Sequence, residues 1–261
     1  MIIDECIICE NSNINIIGKP HNHSESSKYK VMMCAKCGLK WSYPMPDKNE
    51  MDDHYSSYYC QRKNRRVEKT HLNNILSIIS FRNSRSKIFL KRIEKYTKKG
   101  LLLDIGCGEG EILIQAKLRN WNVIGTEYSL ETKEYLKTKG IEVIINEEVS
   151  LLKLEKNFVD CIVAKHLIEH LPNPYNFLID IKKFFSKNGI IAIKTPSCTS
   201  IRARLGLCNW HFVNPPEHLW SFNKNNFRKL VEKANYEVID IKDSYFIDEL
   251  TCFAKPVIDE L

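Results

Sequence analysis

Short apolar runs alternate with longer amphipathic segments through the second half of the chain. The runs LLLDIGC, NVIGTEY, IEVIIN, FVDCIVAK and GIIAIKTP are rich in aliphatic residues, many of them β-branched. Buried parallel strands have this continuous hydrophobic character because helices cover both faces of their sheet. The pattern predicts a doubly wound, mostly parallel α/β domain over residues 100–261, with helices at 109–119, 131–139 and about 174–186.

Apolar residues also recur at helical spacing upstream of this sheet. Two stripes consist of Ile75, Leu76, Ile78 and Ile79 and of Ile88, Phe89, Ile93 and Tyr96. Such stripes are typical of amphipathic helices, so residues 43–99 are predicted to form a helical cover and linker. The aromatic cluster HYSSYY at 54–59 lies in this cover, and both interface packing and substrate contact stay open for it.

The C-terminal segment FIDELTCFAKPVIDEL is a poor match to a final antiparallel strand. It contains Pro256 and two acidic clusters, and proline cannot donate a hydrogen bond to a neighbouring strand. We therefore expect the last edge of the sheet to be shortened or displaced.

Four of the ten cysteines form two C-x-x-C pairs near the N-terminus. These pairs are Cys6 with Cys9 and Cys34 with Cys37. Two such knuckles present four thiolates to one cation, whereas a redox motif would be a single pair beside a βαβ unit. The spacing predicts a closed, structural zinc ribbon over residues 1–42.

Other metal ligands and cysteines are predicted to have simpler roles. His21 and His23 are the only competing ligands of the ribbon, and a polar loop of this kind is more typical of solvated side chains. The remaining cysteines stand singly, mostly beside apolar residues, and we expect small core side chains or inert thiols. They are Cys60, Cys107, Cys161, Cys198, Cys208 and Cys252.

Composition and charge narrow the classes of partner. The chain of 261 residues has a net charge of +7, but Lys and Arg are spread over most of its length. This spread argues against nucleic acid as a partner, and a phosphate-bearing small substrate would suit the same positive excess. No apolar run approaches the roughly 20 residues of a membrane span, and MIIDECIICE lacks the basic flank of a secretory signal. We expect a cytoplasmic protein without membrane insertion.

A glycine-rich turn follows the first strand of the predicted sheet. The segment LLLDIGCGEG at 101–110 places Asp104, Gly106, Gly108 and Gly110 between a strand and a helix. Glycine lets a ligand approach bare backbone at the carboxyl edge of a doubly wound sheet. The spacing G-x-G-x-G departs from the dinucleotide fingerprint G-x-G-x-x-G, which counts against NAD and FAD.

An acidic residue follows the second strand. Glu127 ends the run NVIGTEY, and an acid at this strand tip can accept both hydroxyls of a ribose. The glycine turn and this acid together indicate a ligand that contains a nucleoside.

From Leu101 to about Tyr245 the chain resembles the class I S-adenosylmethionine-dependent methyltransferases. The residues that carry the resemblance are LLLDIGCGEG, the acid in VIGTEYS, the segment FVDCIVAKHLIEHLPNP and GIIAIKTPS. The resemblance implies a seven-stranded, Rossmann-like sheet. It also implies S-adenosyl-L-methionine as cofactor, with its methionine part surrounded by Asp104, Gly106, Cys107 and Gly108.

The same resemblance assigns the rest of the cofactor. Glu127 would hold the ribose and Tyr128 would flank the adenine. An acid after the third strand often meets the adenine amino group, and the candidates Asn146, Glu147 and Glu148 stay open. Lys165 and His166 would line the cofactor cleft at the tip of the fourth strand.

Some bacterial members of this family combine an N-terminal zinc ribbon, a tyrosine-bearing helix and a P-P-E-H-L segment. This chain has the cysteine pairs, HYSSYY and the segment Pro215–Leu219. The resemblance implies methylation of a sugar, a nucleotide sugar or a phosphorylated metabolite in surface-glycan or natural-product biosynthesis. The alternative is an RNA methyltransferase that uses the ribbon to bind rRNA or tRNA.

His166, Glu169 and His170 also match the H-x-x-E-H signature of a zinc peptidase helix. A buried strand precedes this motif, and Pro172 and Pro174 follow it, so at most one helical turn fits. We therefore expect Glu169 and His170 to secure a tight turn.

Methylation of a sugar hydroxyl or an acidic carbon requires a general base. His218 is the first candidate because imidazole titrates near neutrality, and Glu217 could orient it. His166 is the second candidate, and Tyr55 or Tyr59 is the third. Residues 197–221 are expected to form an insertion over the active site, with Trp210, His211 and Phe212 as pocket walls. The methylated atom, and whether the protein is a monomer or a homodimer, stay open.

Overall fold

The computed structural model describes residues 5–20, 28–54, 85–145, 152 and 154–257. The chain divides into two compact units. The first unit consists of Met1–His54, His166–Ile179 and Ile193–Leu261, and the second of Tyr55–Lys165 and Asp180–Ala192. Each unit combines parts of more than one of the three predicted domains, 1–42, 43–99 and 100–261. The domain boundaries stay a prediction.

The strands and helices have the following bounds. In chain order the strands are β1 (Ile14–Gly18), β2 (Lys30–Cys34), β3 (Lys40–Tyr43), β4 (Leu101–Ile105), β5 (Asn122–Glu127), β6 (Glu142–Ile145), β7 (Val159–Lys165), β8 (Phe185–Thr195), β9 (Trp220–Ser221), β10 (Tyr236–Ser244) and β11 (Glu249–Pro256). The helices are α1 (48–54), α2 (85–93), α3 (Glu111–Lys117), α4 (Leu130–Lys137), α5 (Pro174–Asp180), α6 (Ile201–Gly206) and α7 (Lys224–Lys233). Short 3₁₀ turns lie at Ile168–His170, Ile181–Phe184 and Leu207–Asn209.

The larger sheet has seven strands in the order β10-β11-β8-β7-β4-β5-β6. Strand β4 pairs in parallel with β5 and β7, and β5 pairs in parallel with β6. Strands β10 and β11 are antiparallel. All five residues of β4 are buried, as expected of a strand covered on both faces. The predicted doubly wound, mostly parallel sheet of seven strands is confirmed.

The helix expected at about 174–186 is shorter than predicted. Helix α5 ends at Asp180, a 3₁₀ turn follows, and β8 already begins at Phe185. The carbonyl of Lys183 accepts the amide of Asn157, and the carbonyl of Phe184 accepts the amide of Phe158. Because these carbonyls bond the segment before β7, they are not available for a continued helix.

The final strand is complete, so the expectation of a shortened or displaced edge was wrong. Strand β11 pairs with β10 from Tyr236↔Pro256 to Ser244↔Glu249 and lies between β10 and β8. Pro256 is the last residue of the strand, where the loss of one donor is tolerated. The acidic Glu249 forms an ion pair with Lys194 at 2.8 Å.

A second, four-stranded sheet contains the N-terminal ribbon. Its order is β1-β2-β3-β9, and every neighbouring pair is antiparallel. The fourth strand, β9, comes from the segment after the P-P-E-H-L motif and pairs as Lys40↔Ser221 and Trp41↔Trp220. The sequence pattern had no signal for this pairing because β9 is only two residues long.

The described part of the helical cover fits one of the two predicted stripes only in part. Phe89 and Ile93 are buried in α2, whereas Ile88 is 60% exposed. The stripe at 75–79 and the cluster HYSSYY from residue 55 onward lie outside the described residues. None of the described helices is long and apolar enough for a membrane span.

The cysteines outside the ribbon are free thiols wherever the structure describes them, as the sequence predicted. Most of them are buried, and Cys208 is partly buried. Burial raises the thiol pKa of each of these residues, which keeps them protonated and unreactive. Cys60 lies outside the described residues.

Candidate functional site

The glycine turn of the second unit links β4 to α3 through three left-handed residues. The φ angles are 68° at Gly106, 53° at Gly108 and 71° at Gly110, a region that glycine occupies without steric cost. A Cβ at Gly110 would overlap the side chain of Leu136. A Cβ at Gly108 would meet nothing within 4 Å, so one side of the turn is open backbone.

The strand beside β4 supplies the polar partners of this turn. The carbonyl of Thr126 accepts the amide of Cys107 at 2.9 Å, and its hydroxyl accepts the amide of Gly106 at 3.3 Å. Glu127 Oε2 accepts the amide of Gly108 at 2.7 Å, and Oε1 accepts the amide of Tyr128 at 2.9 Å. The carboxylate that the sequence assigned to a ribose therefore lies against the glycine turn.

A buried acid stands at the start of the turn. Asp104 is only 2% exposed, and burial raises its pKa to about 7, although the charge of Lys165 opposes this shift. The Lys165 ammonium lies 3.4 Å from Glu111 Oε2, at the first residue of α3. The turn is thus flanked by an acid that exchanges its proton near neutrality and by a cation.

These residues fit a nucleoside-bearing cofactor with a cationic centre. The open side of Gly108 gives room for close approach, and Glu127 offers two oxygen acceptors for ribose hydroxyls. The anionic form of Asp104 would complement a positive ligand. Asp104, Gly106, Cys107, Gly108, Glu127 and Lys165 are all in the second unit, as is Tyr128, which is 38% exposed.

In the first unit, the turn that follows β7 gathers three histidines around one carboxylate. His166 has a φ of 51°, an uncommon conformation for a residue with a side chain. Its amide donates to the carbonyl of Lys194 at 2.8 Å. The motif continues as a single 3₁₀ turn at Ile168–His170, so the prediction of at most one helical turn is confirmed.

Glu169 lies at the centre of this cluster and is fully buried. Its Oε1 is 3.3 Å from His166 Nδ1 and 3.9 Å from His170 Nε2, and its Oε2 accepts the Thr195 hydroxyl at 3.0 Å. Burial alone would raise the pKa of Glu169, but His166, His170 and His218 outweigh it and lower the pKa to about 2. Glu169 is therefore ionised at neutral pH.

Two backbone carbonyls fix the tautomers of the other histidines. His170 Nδ1 lies 2.9 Å from the carbonyl of Glu217, and His218 Nδ1 lies 3.2 Å from the carbonyl of Phe212. Both Nδ1 atoms must donate there, which leaves the Nε2 atoms as acceptors when the rings are neutral. Ligand atoms of Glu169, His170 and His218 lie within 4.8 Å of one another.

His218 is held as a neutral imidazole. Burial lowers its pKa to about 3, and the nearby His170 adds to this shift. The ring of Phe212 stacks on it at 5.3 Å between centroids, with an angle of 8° between the planes. His170 meets it edge-on at 4.5 Å.

Glu217 does not have the orienting role that the sequence suggested. Its carboxylate accepts the side-chain amide of Asn214 at 3.1 Å, whereas Phe212 supplies the partner of His218. The reason is local, since the amide of His218 donates to the carbonyl of Asn214 in the same tight turn. Trp210 is only 3% exposed and packs in a hydrophobic cluster, and its role as a pocket wall stays a prediction.

The four ribbon cysteines come together as predicted. The Sγ atoms of Cys6 and Cys37 are 3.5 Å apart, as are those of Cys9 and Cys34, and all four lie within 4.8 Å of one another. A zinc–sulfur bond of about 2.3 Å implies tetrahedral sulfur–sulfur edges of about 3.8 Å, which this group fits. Burial raises the pKa of Cys34, but the backbone N–H groups of Cys37 and Lys36 outweigh it and lower the pKa to about 6.

Several predicted residues lie outside the described part of the chain. These are His21 and His23 beside the ribbon, Tyr55 and Tyr59 as candidate bases, and Asn146, Glu147 and Glu148 as candidate adenine contacts. Their roles stay predictions.

Sequence reasoning missed three partners of the site. Thr126 bonds the glycine turn, and its position next to Glu127 was an available signal. Glu111 pairs with Lys165 and Thr195 bonds Glu169, at separations of 54 and 26 residues. No local pattern marks either pair, because the contacts form only when separate segments of the chain are brought together.

Comparisons with known proteins agree with this fold. A family model described as a methyltransferase domain matches residues 79–241, more than half of the chain. The ubiquinone biosynthesis O-methyltransferase of Rickettsia bellii (strain OSU 85-389) is 24% identical over 156 residues, which covers 54% of this chain and 63% of that protein. The protein of the same name from Pelagibacter ubique (strain HTCC1062) is 28% identical over 172 residues, with coverage of 58% and 71%. The match thus spans less than two thirds of the first of these relatives.

Solved structures show the same architecture. A SAM-dependent methyltransferase from Archaeoglobus fulgidus superposes with a TM-score of 0.54 at 20% identity, covering 70% of this chain and 99% of that chain. An S-adenosylmethionine-dependent methyltransferase from Clostridium acetobutylicum gives 0.53 at 13% identity, with coverage of 76% and 99%. The chain therefore belongs to the methyltransferase domain family and has the Rossmann-like fold of the S-adenosylmethionine-dependent methyltransferases.

Proposed function

We propose that this protein transfers a methyl group from S-adenosyl-L-methionine to an oxygen or acidic carbon of a small molecule. The observation that carries the proposal is the pairing of the open glycine turn with Glu127. Gly108 presents bare backbone, and the acid bonded to its amide can exchange that bond for ribose hydroxyls.

S-adenosyl-L-methionine supplies a methyl group that is already activated on a sulfonium, and the protein aligns this group with the acceptor. Glu127 orients the ribose, and Tyr128 flanks the adenine with its exposed ring. Asp104 offers an anionic partner when its proton is released, and Lys165 limits the burial-driven rise in the pKa of Asp104.

On the acceptor side, His166 is the better equipped base. The ionised Glu169 beside Nδ1 favours a proton on that atom, which leaves Nε2 free to accept the acceptor's proton. His166 is also the most exposed of the three histidines around Glu169. The neutral His218 accepts a hydrogen bond and aligns the acceptor, because an imidazole with so low a pKa is a weak base.

The acceptor class that we propose is a sugar, a nucleotide sugar or a phosphorylated metabolite. The resemblance to ribbon-bearing methyltransferases with a P-P-E-H-L segment supports sugars, and a net charge of +7 suits phosphate. The names of the curated relatives support a small-molecule acceptor and methylation at oxygen. We also propose that the four-cysteine group binds a structural zinc ion.

Calorimetric titration with S-adenosylhomocysteine tests the cofactor assignment. Glu127→Ala should weaken binding about 10- to 100-fold, since a buried acceptor pair for the ribose is lost. The control Glu134→Ala, at an exposed position of α4, should bind as the unchanged protein does. Equal affinities in both variants would remove the ribose assignment.

A screen with methyl-labelled cofactor then tests the acceptor. Label should enter nucleotide sugars or phosphorylated metabolites, and His166→Asn should abolish the transfer while S-adenosylhomocysteine still binds. Label in phenolic compounds alone would overturn the sugar assignment and keep methyl transfer. Label in an rRNA or tRNA fragment alone would overturn the small-molecule proposal.

A further inference from the structure

The segment that carries His218 is built onto the N-terminal ribbon. Its continuation, β9, is the fourth strand of the ribbon sheet and pairs with β3. The amide of Ser42 donates to the carbonyl of Leu219 at 2.9 Å, and its hydroxyl donates to the carbonyl of His218 at 3.3 Å. The backbone of His218 is therefore bonded directly to a strand that leaves the second cysteine knuckle.

Both cysteine knuckles are also bonded to the helix that follows β9. The carbonyl of Cys37 accepts the side-chain amides of Asn223 at 3.2 Å and Asn226 at 3.4 Å, the two residues of the α7 capping box. At the other end of α7, Lys233 donates to the carbonyl of Ile7 at 3.1 Å. Ile7 lies inside the first knuckle, so each C-x-x-C turn contacts one end of α7.

The ribbon supports the other face of His218 as well. Val31, on β2, is buried in one hydrophobic cluster with Trp210 and Val213, and Phe212 packs against this cluster. Phe212 stacks on the imidazole of His218, and its backbone carbonyl accepts a hydrogen bond from the Nδ1–H of His218. The ring and the backbone of His218 thus both depend on contacts with ribbon strands.

We propose that the ribbon is the positioning element of the acceptor-binding histidine, with Trp41 and Ser42 as its positioning residues. This inference rests on the proposed function only in giving His218 a role toward the acceptor. Trp41 is 2% exposed and stands opposite Trp220, with ring centroids 6.4 Å apart, which fixes the register of β3 on β9.

A metal dependence follows from the same contacts. The carbonyl of Cys37 can hold Asn223 and Asn226 in place only while the second knuckle keeps its turn. In a ribbon module the bound metal supplies much of the energy of that turn. Removal of the metal should therefore release His218 from its position, although Glu127 and the glycine turn belong to the other unit.

Nuclear magnetic resonance of the histidine rings in the full-length protein gives a readout that needs no acceptor. Ser42→Ala and Trp41→Leu should shift the ¹⁵N resonances of His218 towards a mixture of tautomers, and Trp41→Phe should restore them. Ser221→Ala is the matched control on the facing strand and should leave the tautomer unchanged. Unchanged His218 resonances in both Ser42→Ala and Trp41→Leu would overturn the proposal.

Metal removal distinguishes this inference from the proposed function. Mercurial release of the metal should change the His218 resonances, while S-adenosylhomocysteine should still bind, because Glu127 and the glycine turn belong to the second unit. With an acceptor in hand, turnover should fall about 10- to 100-fold through misplacement alone. Retained His218 resonances after full metal release, or protein that is isolated folded without metal, would refute the ribbon's role. Failure of S-adenosylhomocysteine to bind would refute only the proposed function.

Discussion

The carboxylate of Glu169 lies 3.3 Å from Nδ1 of His166 and is sealed from solvent. A buried carboxylate is costly unless cationic or hydrogen-bonding groups surround it. Here the neighbouring histidines and Thr195 hold it in the ionised form. The ion fixes the tautomer of the one histidine of the cluster that is well exposed to solvent.

The substitution Glu169→Gln removes this charge at nearly constant volume. We expect methyl transfer to fall about 100-fold, because His166 loses the partner that leaves its Nε2 unprotonated. Affinity for S-adenosylhomocysteine, measured by calorimetry, should not change. Glu249→Gln, which alters an ion pair with Lys194 in the same unit, should retain most of the turnover. A larger loss in Glu249→Gln than in Glu169→Gln would contradict the assignment.

Two glycines of the same turn should respond differently to a methyl group. Gly108→Ala and Gly110→Ala share the left-handed strain of about 1–2 kcal/mol, since both φ angles are positive. Gly110→Ala should cost about 1–3 kcal/mol more through overlap with Leu136. Gly108→Ala should instead weaken S-adenosylhomocysteine binding about tenfold, because its methyl projects into the open side of the turn. Urea unfolding and calorimetry on both variants separate the two effects.

The low pKa of His218 makes folding sensitive to acid. Its folded pKa of about 3 lies below the ordinary value of 6.5, so the unfolded chain binds the proton more readily. Stability from this group is complete above pH 6.5 and is lost as the pH falls towards 3. Between pH 6.5 and 4.5, His218→Asn should lower the slope of the unfolding free energy against pH by about 1 kcal/mol per pH unit.

Two other groups, Glu169 and Asp104, also affect the dependence of the unfolding free energy on pH, and Asp104 supplies a variant for comparison. Glu169, lowered from 4.5 to about 2, adds to acid sensitivity only below pH 4.5. Asp104, raised from 3.8 to about 7, acts in the opposite direction, since its stability is lost as the pH rises through this range. Asp104→Asn should therefore make the unfolding free energy rise more steeply with pH, whereas His218→Asn should make it fall as the pH rises. Parallel profiles for the two variants would contradict both shifts.

Metal content tests the ribbon. Protein purified without added metal should contain about one zinc per chain, and Cys34→Ser should remove the zinc and unfold the ribbon. The loss should be on the order of 10 kcal/mol for the module, because such folds depend on their metal. Cys208→Ser, which changes a thiol outside the four-cysteine group, should keep the zinc. Metal analysis measures the zinc content of both variants, and circular dichroism measures their folding.

Local sequence patterns were sufficient to predict those features that depend on a single segment of the chain. The strand LLLDI is buried because it is apolar throughout, and the turn after it needs glycine because its φ angles are positive. The spacing of the four cysteines Cys6, Cys9, Cys34 and Cys37 predicted one metal site. The position of Glu127 at a strand tip predicted its contact with a ribose. The motif at 166–170 was correctly limited to a single turn because a strand and prolines flank it.

Only the tertiary structure decided which groups the histidines contact. Glu217 precedes His218 in the chain, yet Phe212 is the partner of that imidazole, and Glu169 becomes the centre of a cluster that no linear pattern shows. Strand β9 joins the ribbon although β3 lies far away in sequence. Sequence periodicity reports which face of a segment avoids water, whereas the pairing of edges and the burial of single charges depend on segments that meet only in the folded chain.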